Sequence, residues 1–304
     1  MRVINQVLSP DNMRAAWEEV AARKGAPGVD QVSIKRWRRA WEENLYNLAH
    51  AVRTNTYRPS PPRCFYIPKK SGGRRKIAIL TVTDRVLQRA VLRIVDDFFD
   101  QGFFQCSYGY RKGLGARQAV ARIIELRDQG YQWVLDADLD DCFNQLDHRL
   151  IKRFFRQTIS DPIANRLVDL WLRAGSQNIN DHKGIVLGGV ISPLFCNLVL
   201  HQLDREVAMA GWEMVRYADD FCVFSQWEKE IRKIYQHIGH ALSGLHLRYH
   251  PRKTRITHFS RGFDFLGVNF LRDQYSFIST QKKIVVNGGF DEELFIDYFP
   301  KGYI

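Results

Sequence analysis

Arg216-Tyr217-Ala218-Asp219-Asp220-Phe221-Cys222-Val223-Phe224 sets two adjacent carboxylates between apolar, strand-forming residues. Successive side chains of a strand point to opposite faces, so an unbroken strand cannot aim both acids at one point, whereas a tight turn can. Met214 to Tyr217 and Phe221 to Ser225 read as short strands, and Ala218-Asp219-Asp220 as the tip of a hairpin. An acidic turn with no chemistry has the same local pattern. The tip becomes a place to hold a divalent cation when a third acid arrives from elsewhere in the chain.

A second acidic stretch lies upstream. Trp133-Val134-Leu135-Asp136-Ala137-Asp138-Leu139 alternates as a strand and runs into Asp140-Asp141-Cys142-Phe143-Asn144-Gln145-Leu146-Asp147-His148. Asp136, Asp138, Asp140 and Asp141 at one strand end repel one another unless a cation or solvent lies among them. Asp136 and Asp138 share a face; Asp140 and Asp141 fall beyond the strand.

The composition narrows the partners. In 304 residues, 45 Lys and Arg oppose 33 Asp and Glu, a net charge of +12 that favours polyanions. No apolar run approaches the ~20 residues of a membrane span, and Met1 to Gln6 has no signal-peptide core, so a cytoplasmic location is expected. Cys64, Cys106, Cys142, Cys196 and Cys222 are scattered without a C-x-x-C pair and read as small hydrophobes in a reducing compartment.

Around these stretches the chain alternates helices and short strands. Residues 11 to 24 look helical, and Lys24 to Asp30 is a Gly/Pro-rich loop. Ser33 caps a second helix whose face is Ile34, Trp37, Trp41, Leu45, Leu48 and Val52, with Lys35, Arg36, Arg38 and Arg39 mostly off it. Cys64 to Pro68 and Lys76 to Leu80 form a basic hairpin around Lys69 to Arg75, with glycines at its tip. Thr83-Asp84 caps a helix to about Phe99. Ser107-Tyr108-Gly109-Tyr110-Arg111 to Gly115 joins aromatic, basic and glycine residues, a set that can stack on bases and meet phosphates. Helices follow at 116 to 129, 149 to 158 and 161 to 174. The glycine-rich loop Gly184 to Pro193 then feeds an apolar helix from Leu194 to about Met209. Helix 228 to 243 comes next, and Phe263 to Val268 reads as a last hairpin strand.

In this order the motifs resemble the bacterial reverse transcriptases of the group II intron type, over roughly residues 25 to 270. The resemblance rests on Gly28-Val29-Asp30, on the basic hairpin ending near Arg75 with Asp84 to Gln88, and on Ser107-Tyr108-Gly109-Tyr110-Arg111. Asp138 through His148, Gly188 through Pro193 with Asn197, Tyr217-Ala218-Asp219-Asp220, Lys253-Thr254 and Phe265-Leu266-Gly267 complete the series.

The implied fold is α+β: a right-hand polymerase with an antiparallel palm sheet and packed helices. Fingers would take residues 1–130, the palm with catalytic site and primer grip 131–276, and a short tail 277–304 would stand for a missing or incomplete thumb. The implied activity is RNA-directed DNA polymerisation by two-metal nucleotidyl transfer, with an RNA template, a DNA or RNA primer and dNTPs. A CRISPR-associated or antiphage-defence branch, an RNA polymerase on the same palm, or a weakly catalytic RNA-binding remnant are the alternatives.

The resemblance also assigns roles. Asp138 is the third acid; Asp138, Asp219 and Asp220, with the backbone of Leu139, would hold Mg2+, with Mn2+ as a substitute. Lys253 would protonate the leaving pyrophosphate. Arg75 and Lys69 would clamp the triphosphate, Phe143 would exclude a 2′ hydroxyl, and Gly188 would lie against the nucleotide. Arg111, Tyr217, Phe265, Leu266 and Gly267 would contact nucleic acid, the last three as primer grip. Two departures stand out. Leu187 replaces the usual Gln, and Gln281 to Ile304 is too short and weakly periodic for a helical thumb, so a partner protein or fused domain would supply one.

Overall fold

The computed structural model of the protein describes residues 2–68, 74–175, 182–277, 284–292 and 295. The chain begins with α1 (Val3–Val7), α2 (Pro10–Ala22), α3 (Ile34–Arg38), α4 (Trp41–Arg53), β1 (Arg63–Pro68), β2 (Arg74–Ile79) and α5 (Val82–Asp100). It continues through α6 (Ala116–Asp128), β3 (Trp133–Asp138), α7 (Cys142–Gln145), α8 (His148–Thr158), α9 (Pro162–Gly175) and α10 (Ser192–Met209). Then come β4 (Glu213–Tyr217), β5 (Asp220–Ser225), α11 (Glu228–Gly244), β6 (Arg255–His258), β7 (Phe263–Phe265), β8 (Val268–Leu271), β9 (Gln274–Phe277) and β10 (Ile284–Asn287). The fold is mixed α+β, with packed helices and open antiparallel sheets that suit a fingers-and-palm arrangement. No described helix is long and apolar enough to cross a membrane.

The chain divides into two compact units. The first, Met1–Gly102 with Phe143–Val199, is built around α5. Val82, Val86, Leu87, Ala90, Val91 and Val95 recur at three- and four-residue spacing and are fully buried. Such burial stabilises by roughly 1.5–3 kcal/mol for each large side chain. Helix α2 packs on α5, and the Asn12 amide donates to the carbonyls of Val7 and Ala90.

The cap of α5 is Thr81, not Thr83-Asp84. The Thr81 hydroxyl accepts from the Asp84 N–H and donates to the Asp84 carboxylate. That carboxylate also accepts from Tyr57 Oη at 2.6 Å and Ser60 N at 3.2 Å, and Tyr57 Oη accepts from Trp171 Nε1 at 3.0 Å. Burial pushes the Asp84 carboxyl up despite these three donors.

The single helix expected from Ile34 to Val52 is two. Ser33 caps α3 as its residue type predicts, but Ala40 leaves helical geometry at φ −133°. Trp37 is anchored by donation from Nε1 to Thr83 Oγ1 and by its ring, 4.3 Å from that of Trp17. The Asn44 amide donates to the Trp37 carbonyl, which also accepts from Ala40 N at the break. Tertiary anchoring of one tryptophan outweighs the continuity of the periodic pattern.

The second unit is Phe103–Cys142 with Leu200–Ile304. Its first sheet has the order β4-β5-β3-β6 and its second β10-β9-β8-β7, all neighbours antiparallel. Helix α6 joins the two in one core: Ala119, Val120 and Ile123 meet Val134, Val215, Cys222 and Phe224 from the first sheet and Phe263, Phe265, Phe270 and Phe277 from the second. The alternate face of the first sheet, with Leu135, Ala137, Phe221 and Val223, is equally buried, and α11 packs across β3 and β5. Phe263 to Val268 is not one strand. Phe265 pairs with Val268, and Leu266 (φ +51°) and Gly267 (φ +79°) make the two-residue turn between β7 and β8. Positive φ at both tip residues is what a type I′ hairpin needs. Strands β6, β8, β9 and β10 have no counterpart in the sequence reading.

Tyr57→Phe leaves one acceptor of Asp84 and the Trp171 indole N–H unmet in a buried site. It is expected to cost about 1–3 kcal/mol, read as a lower urea midpoint at unchanged denaturant slope.

Candidate active site

The acidic hairpin forms as its sequence implies, one residue shifted. Tyr217 pairs with Asp220, so the tip is Ala218-Asp219, and Asp220 is the first residue of β5. Ala218 is first at the tip and has φ +58°, the position at which a type II′ turn demands a positive φ. An alanine there costs roughly 1–2 kcal/mol.

Arg216 holds that tip. Its side chain and that of Asp204 are both 0% exposed and 2.6 Å apart, with Nε and Nη2 each donating to one carboxylate oxygen. Nη2 also donates to Ser107 Oγ at 2.8 Å, and Nη1 to the Ala218 carbonyl at 3.0 Å. The backbone of Cys106 to Tyr108 covers the edge of β4, with Arg216 N donating to Cys106 O and Tyr108 N to Arg216 O. Gly109 then passes so close that a Cβ there would sit 2.6 Å from Ala218 N.

Across β3 and β5 the register sets Asp138 opposite Asp220 and Asp136 opposite Cys222, on one face of the sheet. Asp219 follows at the tip. Burial, and then the charges of Asp136, Asp138 and Asp219, push the Asp220 carboxyl well above its ordinary value against the pull of Lys253. Burial also pushes Asp136 up to about 6; Arg255 works against it, and Asp264 and Asp138 add to it.

Three of the four upstream aspartates pair with cations from one short segment. Lys253 Nζ lies 2.6 Å from Asp138 Oδ2, Arg255 Nε 3.1 Å from Asp136 Oδ2, and Arg248 Nη2 2.6 Å from Asp140 Oδ2. The backbone keeps these pairs in step. His250 N and Thr254 Oγ1 donate to Asp138 O, Asp140 N donates to Arg248 O, and Leu139 bridges Tyr249. Sequence reading singled out Lys253 and missed Arg248 and Arg255. Their signal is the basic residue at every second place from His246 to Arg252, continued by Lys253 and Arg255.

The remaining expected residues fall as follows. Leu139 is buried beside Asp138, and Tyr217 is half-buried, 6.0 Å from the Tyr110 ring. Arg111 Nη1 donates to the carbonyls of Phe104 and Ser107, and its guanidinium lies 5.6 Å from the Phe103 ring centroid, an arrangement that fixes its own loop. Phe265 and Leu266 are buried, so what the turn offers outward is backbone. In the first unit, Phe143 is half-buried in α7 and its carbonyl accepts from Ile185 N. Gly188 has φ +103° and runs against β2, where a Cβ would meet Ala78 O at 2.6 Å; the Leu187 carbonyl accepts from Ala78 N at 2.9 Å. Lys69 lies outside the described residues, and Arg75 is described only as a β2 residue opposite Ile67.

Among the described residues no three His, Cys, Asp or Glu side chains are already arranged as a metal's ligands. The donor chemistry nevertheless fits a hard divalent cation: carboxylates crowd one strand end, and the most buried of them carries excess negative potential.

Asp204→Ala strands a buried guanidinium. A loss of about 3–5 kcal/mol is expected, measured by chemical denaturation; a loss below about 1 kcal/mol would show that the pair does not hold the tip.

Protein YkfC of Escherichia coli (strain K12) is 29% identical over 316 residues, covering 89% of this chain and 83% of that protein. The Group II intron-encoded protein LtrA of Lactococcus lactis subsp. cremoris is 26% identical over 268 residues, covering 84% of this chain; the chain spans only 44% of LtrA. In fold alone, the chain is similar to the telomerase of Candida tropicalis solved with a TWJ fragment of telomeric RNA, at TM-score 0.56 and 13% identity, over 82% of this chain and 49% of that one. The family described as reverse transcriptase (RNA-dependent DNA polymerase) matches residues 67–270, which include both acidic strands and the turn after β7. The chain belongs to the reverse transcriptase family.

Proposed function

We propose that the chain is an RNA-directed DNA polymerase that adds deoxynucleotides to a primer 3′ hydroxyl on an RNA template. Asp138, Asp219 and Asp220 are assigned to a pair of magnesium ions. The observation that carries this reading is the β3–β5 register, which makes Asp138 the partner of Asp220 beside Asp219. When bound, magnesium, or manganese in its place, makes the primer hydroxyl a better nucleophile and offsets charge on the leaving pyrophosphate.

The chain's own residues supply the rest. Asp138 and Asp219 present carboxylate oxygens from two strands, while Asp220, the most deeply buried, ranks third among the ligands. The backbone of Leu139 is held in place by its bridge to Tyr249. Lys253 Nζ lies 2.6 Å from Asp138 Oδ2 and is assigned to deliver a proton to the pyrophosphate. The backbone of the Phe265-Leu266-Gly267 turn, Tyr217 and Arg111 are assigned to the primer side. In the first unit, Arg75 and Lys69 are assigned to the triphosphate, Phe143 to sugar selection and Gly188 to the nucleotide. RNA template, primer and a partner protein or fused domain completing the grip on the duplex are the proposed partners.

Asp138→Asn and Asp219→Asn are each expected to lower primer extension by about 100-fold or more at unchanged thermal midpoint. Full extension by either purified variant overturns the assignment. Phe143→Ala is expected to lower the preference for dNTPs over NTPs by about tenfold or more, checked by single-nucleotide incorporation with each substrate.

A further inference from the structure

Helix α8 has two faces of opposite chemistry. Ile151, Phe154 and Phe155 are buried. Arg149, Lys152, Arg153 and Arg156, at i, i+3, i+4 and i+7, form a stripe on the other side. Together with Gln157 they line one open stretch of surface to which no carboxylate contributes.

The acids nearby do not cancel this charge. Asp147 accepts from Arg149, and Asp169 lies 3.2 Å from Lys152 and 3.6 Å from Arg156. Arg153 has no acidic partner among the described residues; its guanidinium lies 4.7 Å from the Phe154 ring centroid. Arg149 and Arg156 keep side-chain exposures of 73% and 54% despite their pairs, so donors remain turned to solvent. From His148 to Gly175 the chain has six Lys and Arg against Asp161 and Asp169 alone. Asp161 is buried, its carboxylate taken up by the N–H groups of Ile4, Ile163 and Ala164. An exposed row of guanidinium and ammonium groups along one helix face matches a run of phosphates. It offers nothing to tell one base from another.

We propose that this face of α8 binds the phosphate backbone of a nucleic-acid strand without reading its sequence. The proposal goes beyond the polymerase reading and does not require it, since strand binding at α8 is measurable whether or not primers are extended.

The test is fluorescence anisotropy of the full chain with a labelled single-stranded RNA and with DNA of the same sequence, across a salt series. Arg153→Glu with Arg156→Glu is expected to weaken both by about tenfold or more and to reduce the slope of log affinity against log salt by roughly 1.5–2. Lys229→Glu with Lys233→Glu, exposed on α11, makes the same change in net charge and is expected to leave most of the slope intact. If the glutamate pair fails to fold, Arg153→Gln with Arg156→Gln is expected to show the same trend at smaller size. Unchanged binding in the α8 variants, or an equal loss in the α11 control, overturns the proposal. So does displacement of the RNA by a poly-glutamate peptide as readily as by unlabelled RNA, which would mark the face as a dock for acidic proteins.

Discussion

Two carboxylates are held opposite each other by the pairing of β3 with β5 and by the close packing of the apolar residues around them. Along β3 and β5, Val134, Leu135, Ala137, Phe221, Cys222, Val223 and Phe224 are buried on one face or the other. Both faces are filled, so a slip of one residue would exchange the two sets of side chains and force both sides to repack, at a cost above that of one like-charge pair. Hydrophobic register therefore forces Asp138 against Asp220, and the rest of the second unit answers the resulting charge. The segment from Arg248 to Arg255 runs alongside and delivers a cation to each of Asp140, Asp138 and Asp136. Burial, and then the neighbouring carboxylates, raises Asp220, and the crowding of acids at this strand end has the donor chemistry that suits a divalent cation.

A different force fixes the tip. Asp219 and Asp220 project from a turn whose first residue takes a conformation that alanine disfavours. A turn of this kind relaxes unless something outside it over-determines its shape. Arg216 does so from beneath: one guanidinium joins α10 through Asp204, the 106–108 edge through Ser107, and the tip itself through the Ala218 carbonyl. A buried ion pair is seldom a net gain over apolar packing. Its use at this position is geometric, because few other side chains could satisfy three acceptors at such angles.

Much of this was legible in the sequence. The alternation around Asp136 and Asp138 and the apolar strands flanking Asp219-Asp220 survive because period-two patterns report directly on burial. Helices α5, α6, α8, α9 and α11 have stripes long enough to be read in the same way. The misreadings share a cause, which is a contact between distant residues. The break after α3 follows from Trp37 meeting Trp17 and Thr83, and the α5 cap from Thr81 joining an Asp84 that also serves Tyr57. Strand β6 is four residues long, and its partner is 119 positions away at Asp136–Arg255. Within the acidic site, Arg248 and Arg255 escaped notice because a cation on a short edge segment looks like any solvated charge until the acid opposite is known.

The closeness of Gly109 to Ala218 also bears on how such a chain changes over generations. With main chain on both sides of a gap too narrow for one methyl, the loop and the hairpin cannot drift independently. A lineage that alters the aromatic and basic loop must do so around a fixed glycine. Variety is then channelled outward, to Tyr110 and Lys112 at the loop's rim, while the point of contact with the acidic turn stays bare.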